Sequence, residues 1–343
     1  MFDQSEVTPP SPETRAAKDW VRILANYRDP DPWRSAYELA ITIGPFVGLW
    51  ALAWWSMSVS YVLTFVIASI NAAFLLRLFA IQHDCGHGAF FANRNVSDWL
   101  GRIIGVLTLT PYGVWRRSHA QHHSASGNLG RRGMGDIATL TVDEYRARTP
   151  WNRLMYRLYR NPVVLFGLAP GYLFLLQNRL PLGLMNGLRY WVSAMCTNLA
   201  IFAAVGLILW YGGLMPILLI FLPSTLLAGT AGVWLFYVQH QFETAHWEEE
   251  EDWQLHEAAL EGSSQYVLPS VLQWISANIG IHHVHHLQSR IPFYRLPEVL
   301  RDHAELAEKN RMSIRESLGN ARLHLWDENS KRLLSFADAR KMS

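Results

Sequence analysis

The chain has 343 residues, 50% of them apolar and only 17% Asp, Glu, Lys or Arg, where ordinary soluble domains carry about 25% charged residues. Thirty Lys and Arg nearly balance 28 Asp and Glu, a formal net charge of +2, so the overall charge gives no case for a nucleic-acid partner. The two cysteines, Cys85 and Cys196, stand far apart, one beside histidines and one inside an apolar run, which argues against a disulfide-framed secreted fold.

Residues 1–38 are polar, contain Pro9, Pro10 and Pro12 and have no apolar core of a signal peptide; they are expected to form a cytoplasmic segment. From 39 to 76 no charged residue occurs in 38 positions, about 57 Å of helix and nearly two crossings of a ~30 Å hydrocarbon core. This predicts a helical hairpin with spans of about 39–57 and 60–80. Its turn falls around Ser56, Ser58 and Ser60, with Trp54 and Trp55 at headgroup depth. Residues 99–115 and 163–176 are apolar but short and interrupted by Pro111 and Pro170, and are expected to be interfacial or re-entrant. Arg153, Arg157 and Arg160 recur at helical spacing opposite Leu154, Met155 and Leu158, predicting a helix that lies on the membrane with its guanidinium groups among lipid phosphates.

A second uncharged stretch of 53 residues, 190–242, is broken near Tyr211, Gly212, Gly213 and Pro216 and predicts a second hairpin, spans of about 190–211 and 215–238. Neither turn, 56–60 or 211–215, carries Lys or Arg, whereas 77–189 and the segment after 243 are rich in Arg. The positive-inside rule then places both termini and the long middle segment in the cytoplasm. The expected architecture is an all-α multi-pass membrane protein, with four transmembrane helices in two hairpins and a cytoplasmic helical cap. Residues 39–300 form its main domain, and 301–343 a polar tail with no recognisable module.

Fourteen histidines are present, and three five-residue windows hold nine of them: His83 and His87; His119, His122 and His123; His282, His283, His285 and His286. Positions i and i+4, or i, i+3 and i+4, share a helix face, so each window is expected to aim its imidazoles at one point. His283 falls on another face and is assigned a supporting role. Imidazole suits zinc, copper, iron and nickel, and three or four ligands satisfy one zinc. Eight or nine converging histidines therefore imply a dinuclear centre. His240, at the end of the second uncharged stretch beside Gln239 and Gln241, reads from spacing alone equally as a ligand or as a helix-end histidine.

The boxes H-x-x-x-H, H-x-x-H-H and H-x-x-H-H, in the phrases HDCGHGAFF, HHSASGNLGRRGMGDIATLTVDEY, WLFYVQHQFE and NIGIHHVHHLQSRIPFYRLPEVL, resemble the membrane fatty acid desaturases, most of all the bacterial and cyanobacterial acyl-lipid group. The resemblance covers roughly 40–300. It implies a non-haem centre of two iron ions that uses O2 and two electrons to introduce a cis double bond into a membrane-lipid acyl chain, and it implies that His240 also binds iron. The first box has three intervening residues, not the four of animal acyl-CoA desaturases, so an acyl-CoA substrate is not implied. No cytochrome b5 segment is expected, and electrons would come from a separate carrier such as ferredoxin or a similar reductase-linked protein.

Metal-bound imidazoles usually donate their second N–H to a carboxylate or carbonyl. Asp84 and Asp136 are candidates for that supporting layer, and Asn278 for an amide facing the metals or a bound water. Trp115, Trp234 and Trp274 read as headgroup-belt residues. The acidic run 248–252 reads as a solvated face, and Arg116, Arg117, Arg131 and Arg132 as a complement to an acidic donor. A hydroxylase or ketolase acting on an alkane, sterol or carotenoid is the alternative within the same metal chemistry. A transporter is disfavoured because its site would lie at the bilayer midplane, whereas these boxes follow the ends of the spans.

Overall fold

The computed structural model describes residues 17–133, 135–182 and 187–342; Pro9, Pro10, Pro12 and the start of the expected cytoplasmic segment lie outside the described residues. After a short helix α1 (Ala17–Leu24), Asp31 begins the first long helix. Its carboxylate accepts from the amides of Trp33 and Arg34 at 2.8 and 3.0 Å, ahead of Pro32 at the first helical position, an arrangement that satisfies orphan donors and pre-sets the backbone. Helix α2 (Pro32–Ser56) turns through four residues into α3 (Tyr61–His87), and the two pack along each other, with the buried hydroxyls of Ser56 and Thr64 2.9 Å apart at the turn. The helix starts before the uncharged run because its first charges are accommodated by pairing. Buried Glu38 meets buried Arg77 of α3 and also Arg34, and the Arg77 guanidinium lies 4.1 Å over the Trp274 ring.

Helices α4 (Arg94–Leu107) and α5 (Tyr112–Ala125) follow. They meet at a corner that only glycine permits, since a Cβ on Gly101 would lie 2.3 Å from the Tyr112 ring and one on Gly105 2.5 Å from the Thr110 carbonyl oxygen. α4 buries Ser97, Gly101, Ile104 and Gly105 and exposes Trp99 and Ile103, the pattern of a helix lying in the interface. Then come strand β1 (Leu140–Thr141), α6 (Val142–Ala147) and α7 (Pro150–Tyr159). A π-helical turn, Val163–Leu168, leads into α8 (Ala169–Leu175).

Helix α9 (Leu188–Gly212) and a second π turn, Ile217–Phe221, that continues into α10 (Leu222–His240) complete the spans. Among the described residues four helices are long and apolar enough to cross a bilayer: Pro32–Ser56, Tyr61–His87, Leu188–Gly212 and Ile217–His240. They present large apolar side chains outward, Val62, Leu199 and Phe202 among them, as lipid-facing helices do. The second pair is joined like a hairpin but does not pack like one: α10 lies on α3, whereas α9 lies on α4 and α5. At the turn end Trp54 fills the space over Gly212, where a Cβ would sit 2.5 Å from its ring, while Trp55, Trp210 and Tyr211 are exposed. Trp55 alone of the expected tryptophan pair thus takes an exposed belt position.

Beyond α10 the chain forms α11 (Leu255–Glu261), β2 (Gln265–Val267), α12 (Ser270–Ile275), α13 (His282–Leu287), α14 (Leu296–Asp302), α15 (Ala304–Ala307), β3 (Arg311–Ser313), α16 (Ile314–Asn320), β4 (Leu325–Asp327), β5 (Arg332–Leu334) and α17 (Phe336–Lys341). β2 pairs parallel with β3, and β4 lies between β1 and β5. The polar-looking tail is thus packed into the cap: Leu306, Leu325, Trp326 and Leu333 are buried, but its strands are too short for a hydrophobic period to show in sequence.

One surface expectation needs correction. Arg160 is buried, not among lipid phosphates: it donates to Ala138 O, Leu323 O and Gln241 Oε1 at 3.1, 2.9 and 2.8 Å and tethers the loop after α5 to α10 and the tail. Of the four arginines expected to face a donor, Arg116 pairs with Asp98, Arg131 with Glu250 and Arg132 with Glu144. Arg117 alone is exposed with no ion pair among the described residues.

Candidate metal centre

Four helix segments end or begin at one place and carry the histidines. α3 stops immediately after His87, where Gly88 adopts φ +70° and its N–H caps the carbonyls of Asp84 and Cys85, the left-handed close that glycine allows. His83 and His87 therefore occupy its last turn. α5 supplies His119, His122 and His123, α10 ends on His240, and α13 begins on His282.

The side chains form two groups in which one ligand atom from every member lies within 4.8 Å of every other: His83, His87, His119, His123 and His285; and His122, His240, His282 and His286. The expectation that each H-x-x-H-H box converges on one point is corrected. In α5 the i, i+4 pair His119 and His123 joins the group of five while His122 turns to the group of four; in α13 the pair His282 and His286 joins the four while His285 turns to the five. Each box bridges the two groups, and the His123 and His286 rings stack across the boundary at 4.1 Å and 16°.

Within the groups the Nε2 atoms approach closely: His87 to His119 at 2.9 Å, His119 to His123 at 3.1 Å, and His123 to His285 at 3.1 Å in one; His122 to His240 at 3.1 Å, His240 to His282 at 2.9 Å, and His122 to His286 at 3.3 Å in the other. Neutral imidazoles cannot satisfy one another all at once in such a ring of contacts. Ligands about 2.1 Å from a common ion and separated by right or tetrahedral angles would stand roughly 3.0–3.4 Å apart. The donor sets therefore fit metal ions. Burial and the neighbouring imidazoles hold His119, His123, His282, His285 and His286 well below the ordinary histidine range, so these rings are neutral at pH 7, the form that binds metal.

The second ring nitrogens meet an outer layer. His83 Nδ1 lies 3.3 Å from Asp84, whose other oxygen accepts from the Phe293 amide at 2.7 Å. His122 Nδ1 lies 3.5 Å from Asp136. Burial pushes the Asp136 carboxyl up, but the imidazoles of His122 and His240 and the Ile137 amide outweigh it and hold the group below its ordinary range. His240 Nδ1 faces the Gly262 carbonyl at 3.2 Å. His283 belongs to neither group; its Nε2 is 2.9 Å from the Leu306 carbonyl. Asn278 also stands outside both, its amide donating to Phe293 O at 3.0 Å from a backbone with φ +55°.

Trp115 was missed as a site residue. Its half-buried ring stacks on His119 at 4.7 Å and 15°, over Gly86, where a Cβ would sit 2.8 Å away. The i, i+4 spacing of Trp115 and His119 was the available signal. Trp234 packs between Phe166 and Tyr237, and Trp274 under Arg77.

Residues 60–317 match the family model described as fatty acid desaturase. A protein named fatty acid desaturase from Bacillus subtilis is 44% identical over 93% of this chain and 90% of its own length. Two Synechocystis proteins are more distant: an sn-1 acyl-lipid omega-3 desaturase (ferredoxin), 27% identical over 80% of this chain and 76% of its own, and an sn-1 oleoyl-lipid 12-desaturase, 24% identical over 83% and 75%. With four membrane-length helices and two convergent histidine groups, this chain belongs to the fatty acid desaturase family.

Proposed function

We propose that the chain is an O2-dependent acyl-lipid desaturase that introduces a cis double bond into a membrane-lipid chain. Two irons would be held, one by His83, His87, His119, His123 and His285, the other by His122, His240, His282 and His286. The observation that carries the reading is this division of nine imidazoles into groups of five and four. Structural zinc is satisfied by four ligands, so a group of five favours a metal of higher coordination number, and imidazole suits iron.

When bound, the irons would supply with O2 and two electrons the oxidising power to remove two hydrogens from unactivated methylenes, which no side-chain acid or base can do. The chain's own part is to hold the imidazoles neutral and convergent. Asp84, Asp136 and the Gly262 carbonyl would fix ring orientation through the second nitrogens, and the buried walls of the four-histidine group would exclude water. His283 and Asn278 hold backbone carbonyls near the centre. A separate carrier such as ferredoxin would deliver the electrons, as the name of one Synechocystis relative suggests for that protein. The absence of Lys and Arg from 56–60 and 211–215 supports an inner-membrane orientation with both turns periplasmic and the histidines cytoplasmic.

Expression in a bacterium lacking desaturases, followed by gas chromatography–mass spectrometry of derivatised fatty acids, tests the reading. A new unsaturated acyl chain is expected. Hydroxylated or keto products with no new double bond would overturn it.

A further inference from the structure

Away from the histidines, α6, α7, β4 and α17 line an open cavity of about 580 Å³. Its floor is apolar, with Leu325 and Ala339 buried and Phe336 half-buried. Four arginines line it, Arg146, Arg153, Arg157 and Arg340, and no Asp or Glu does. Two of these are held in place by the protein: Arg146 donates to the Ala339 carbonyl at 2.9 Å and lies 3.6 Å from Asp143, and Arg157 donates to the Tyr145 hydroxyl at 2.6 Å with its guanidinium 4.7 Å from the Phe336 ring centre. The side chain of Arg153, half-buried, has no hydrogen-bond or ion-pair partner among the described residues. The cavity thus combines an apolar base with the guanidinium groups of Arg153 and Arg157, neither of which has an ion-pair partner among the described residues.

A second observation fixes its surroundings. On α7, Trp151, Leu154, Met155 and Leu158 are exposed by 65, 45, 37 and 46%, a stripe at i, i+3, i+4 and i+7. It continues into exposed Val163 and Leu168, in a segment that leads to α8, packed on the membrane helix α10. Such a stripe belongs in the acyl boundary of a bilayer. Leu154 is part of both the stripe and the cavity lining, so the cavity opens where headgroups lie.

We propose that this cavity binds the phosphate headgroup of an anionic phospholipid, with Arg153 as its free cation and the acyl chains along the α7 stripe. Basic pockets beside membrane helices recognise anionic headgroups by this combination of charge and adjoining apolar surface. The site is separate from the histidine groups and does not depend on the reaction they perform.

The test uses the full-length protein in detergent, with thermal unfolding followed during titration with phosphatidylglycerol, phosphatidylcholine of the same chains, or inorganic phosphate. Phosphatidylglycerol should raise the melting temperature of the wild type, and phosphatidylcholine and phosphate should not. R153Q should weaken the phosphatidylglycerol response about fivefold, the factor for one basic group at an anionic surface, and R153K should restore it. Because the Arg153 guanidinium has no hydrogen-bond or ion-pair partner among the described residues, the lipid-free melting of R153Q should match wild type; a large drop there would itself contradict the assignment of a free cation. Equal stabilisation by the two lipids, an unchanged response in R153Q, or full stabilisation by phosphate alone would overturn the proposal.

Discussion

The two histidine groups lie side by side yet are built for different exposure. In the group of five, His87, His119 and His123 are half-buried, drawn from the last turn of α3 and the face of α5 that carries Trp115. In the group of four, His122, His240 and His282 are buried, and only His286 is half-buried. The first group is backed by Asp84, the second by Asp136 and the Gly262 carbonyl. One metal position is therefore open toward its surroundings and the other enclosed, and the shared boxes of α5 and α13 tie them together. A ligand lost from the enclosed group should be felt most, because no water or neighbouring side chain can take its place.

The largest expected effect follows directly. His240→Ala or His282→Ala should abolish product and lower bound metal while the protein still inserts, as metal analysis and product analysis of the same membranes would show. His240→Ala with full activity and metal content would break the comparison, since the enclosed group would then not need its fourth member. Replacing the outer carboxylates should cost less: Asp136→Asn and Asp84→Asn are each expected to lower metal affinity or activity about 10–100-fold. A larger loss at Asp136 than at Asp84 would sharpen the contrast between enclosed and open groups.

Much of this centre was legible before any coordinates. Histidine spacing named eight of the nine members, because helical periodicity makes i, i+3 and i+4 neighbours; the ninth, His240, was named only by the family resemblance. Spacing could not show that each H-x-x-H-H box divides between groups, because it specifies a face of one helix and not which other helices meet that face. The spans were legible from missing charges, but the start at Pro32 was not, since Glu38 and Arg77 neutralise each other across two helices. Arg160 was misread for a related reason: on a helical wheel it continues Arg153 and Arg157, yet it is the last turn's cap, drawn inward by Gln241 and four backbone and hydroxyl acceptors. Packing partners distant in sequence decide such cases.

Smaller effects probe the margin of each group. His283→Ala removes the imidazole from the Leu306 carbonyl, which keeps the Lys309 amide at 3.3 Å, and through the lost hydrogen bond and the space the buried ring vacates should destabilise the fold by about 1–3 kcal/mol, with metal content unchanged in the protein that remains folded; chemical denaturation and metal analysis together check this. Loss of metal with His283 would place it in the centre after all. Trp115→Leu removes the ring stacked on His119 and should cost only about 0.5–1.5 kcal/mol beyond lost packing, seen as weaker metal retention in the open group and unchanged retention in the enclosed one.

The central claim is that five and four imidazoles hold two ions, and that the ions are iron. The most direct measurement is elemental analysis of the purified protein, expressed with iron and zinc both supplied. The account predicts iron in preference to zinc, approaching two atoms per chain at full occupancy. One zinc per chain and no iron would contradict it.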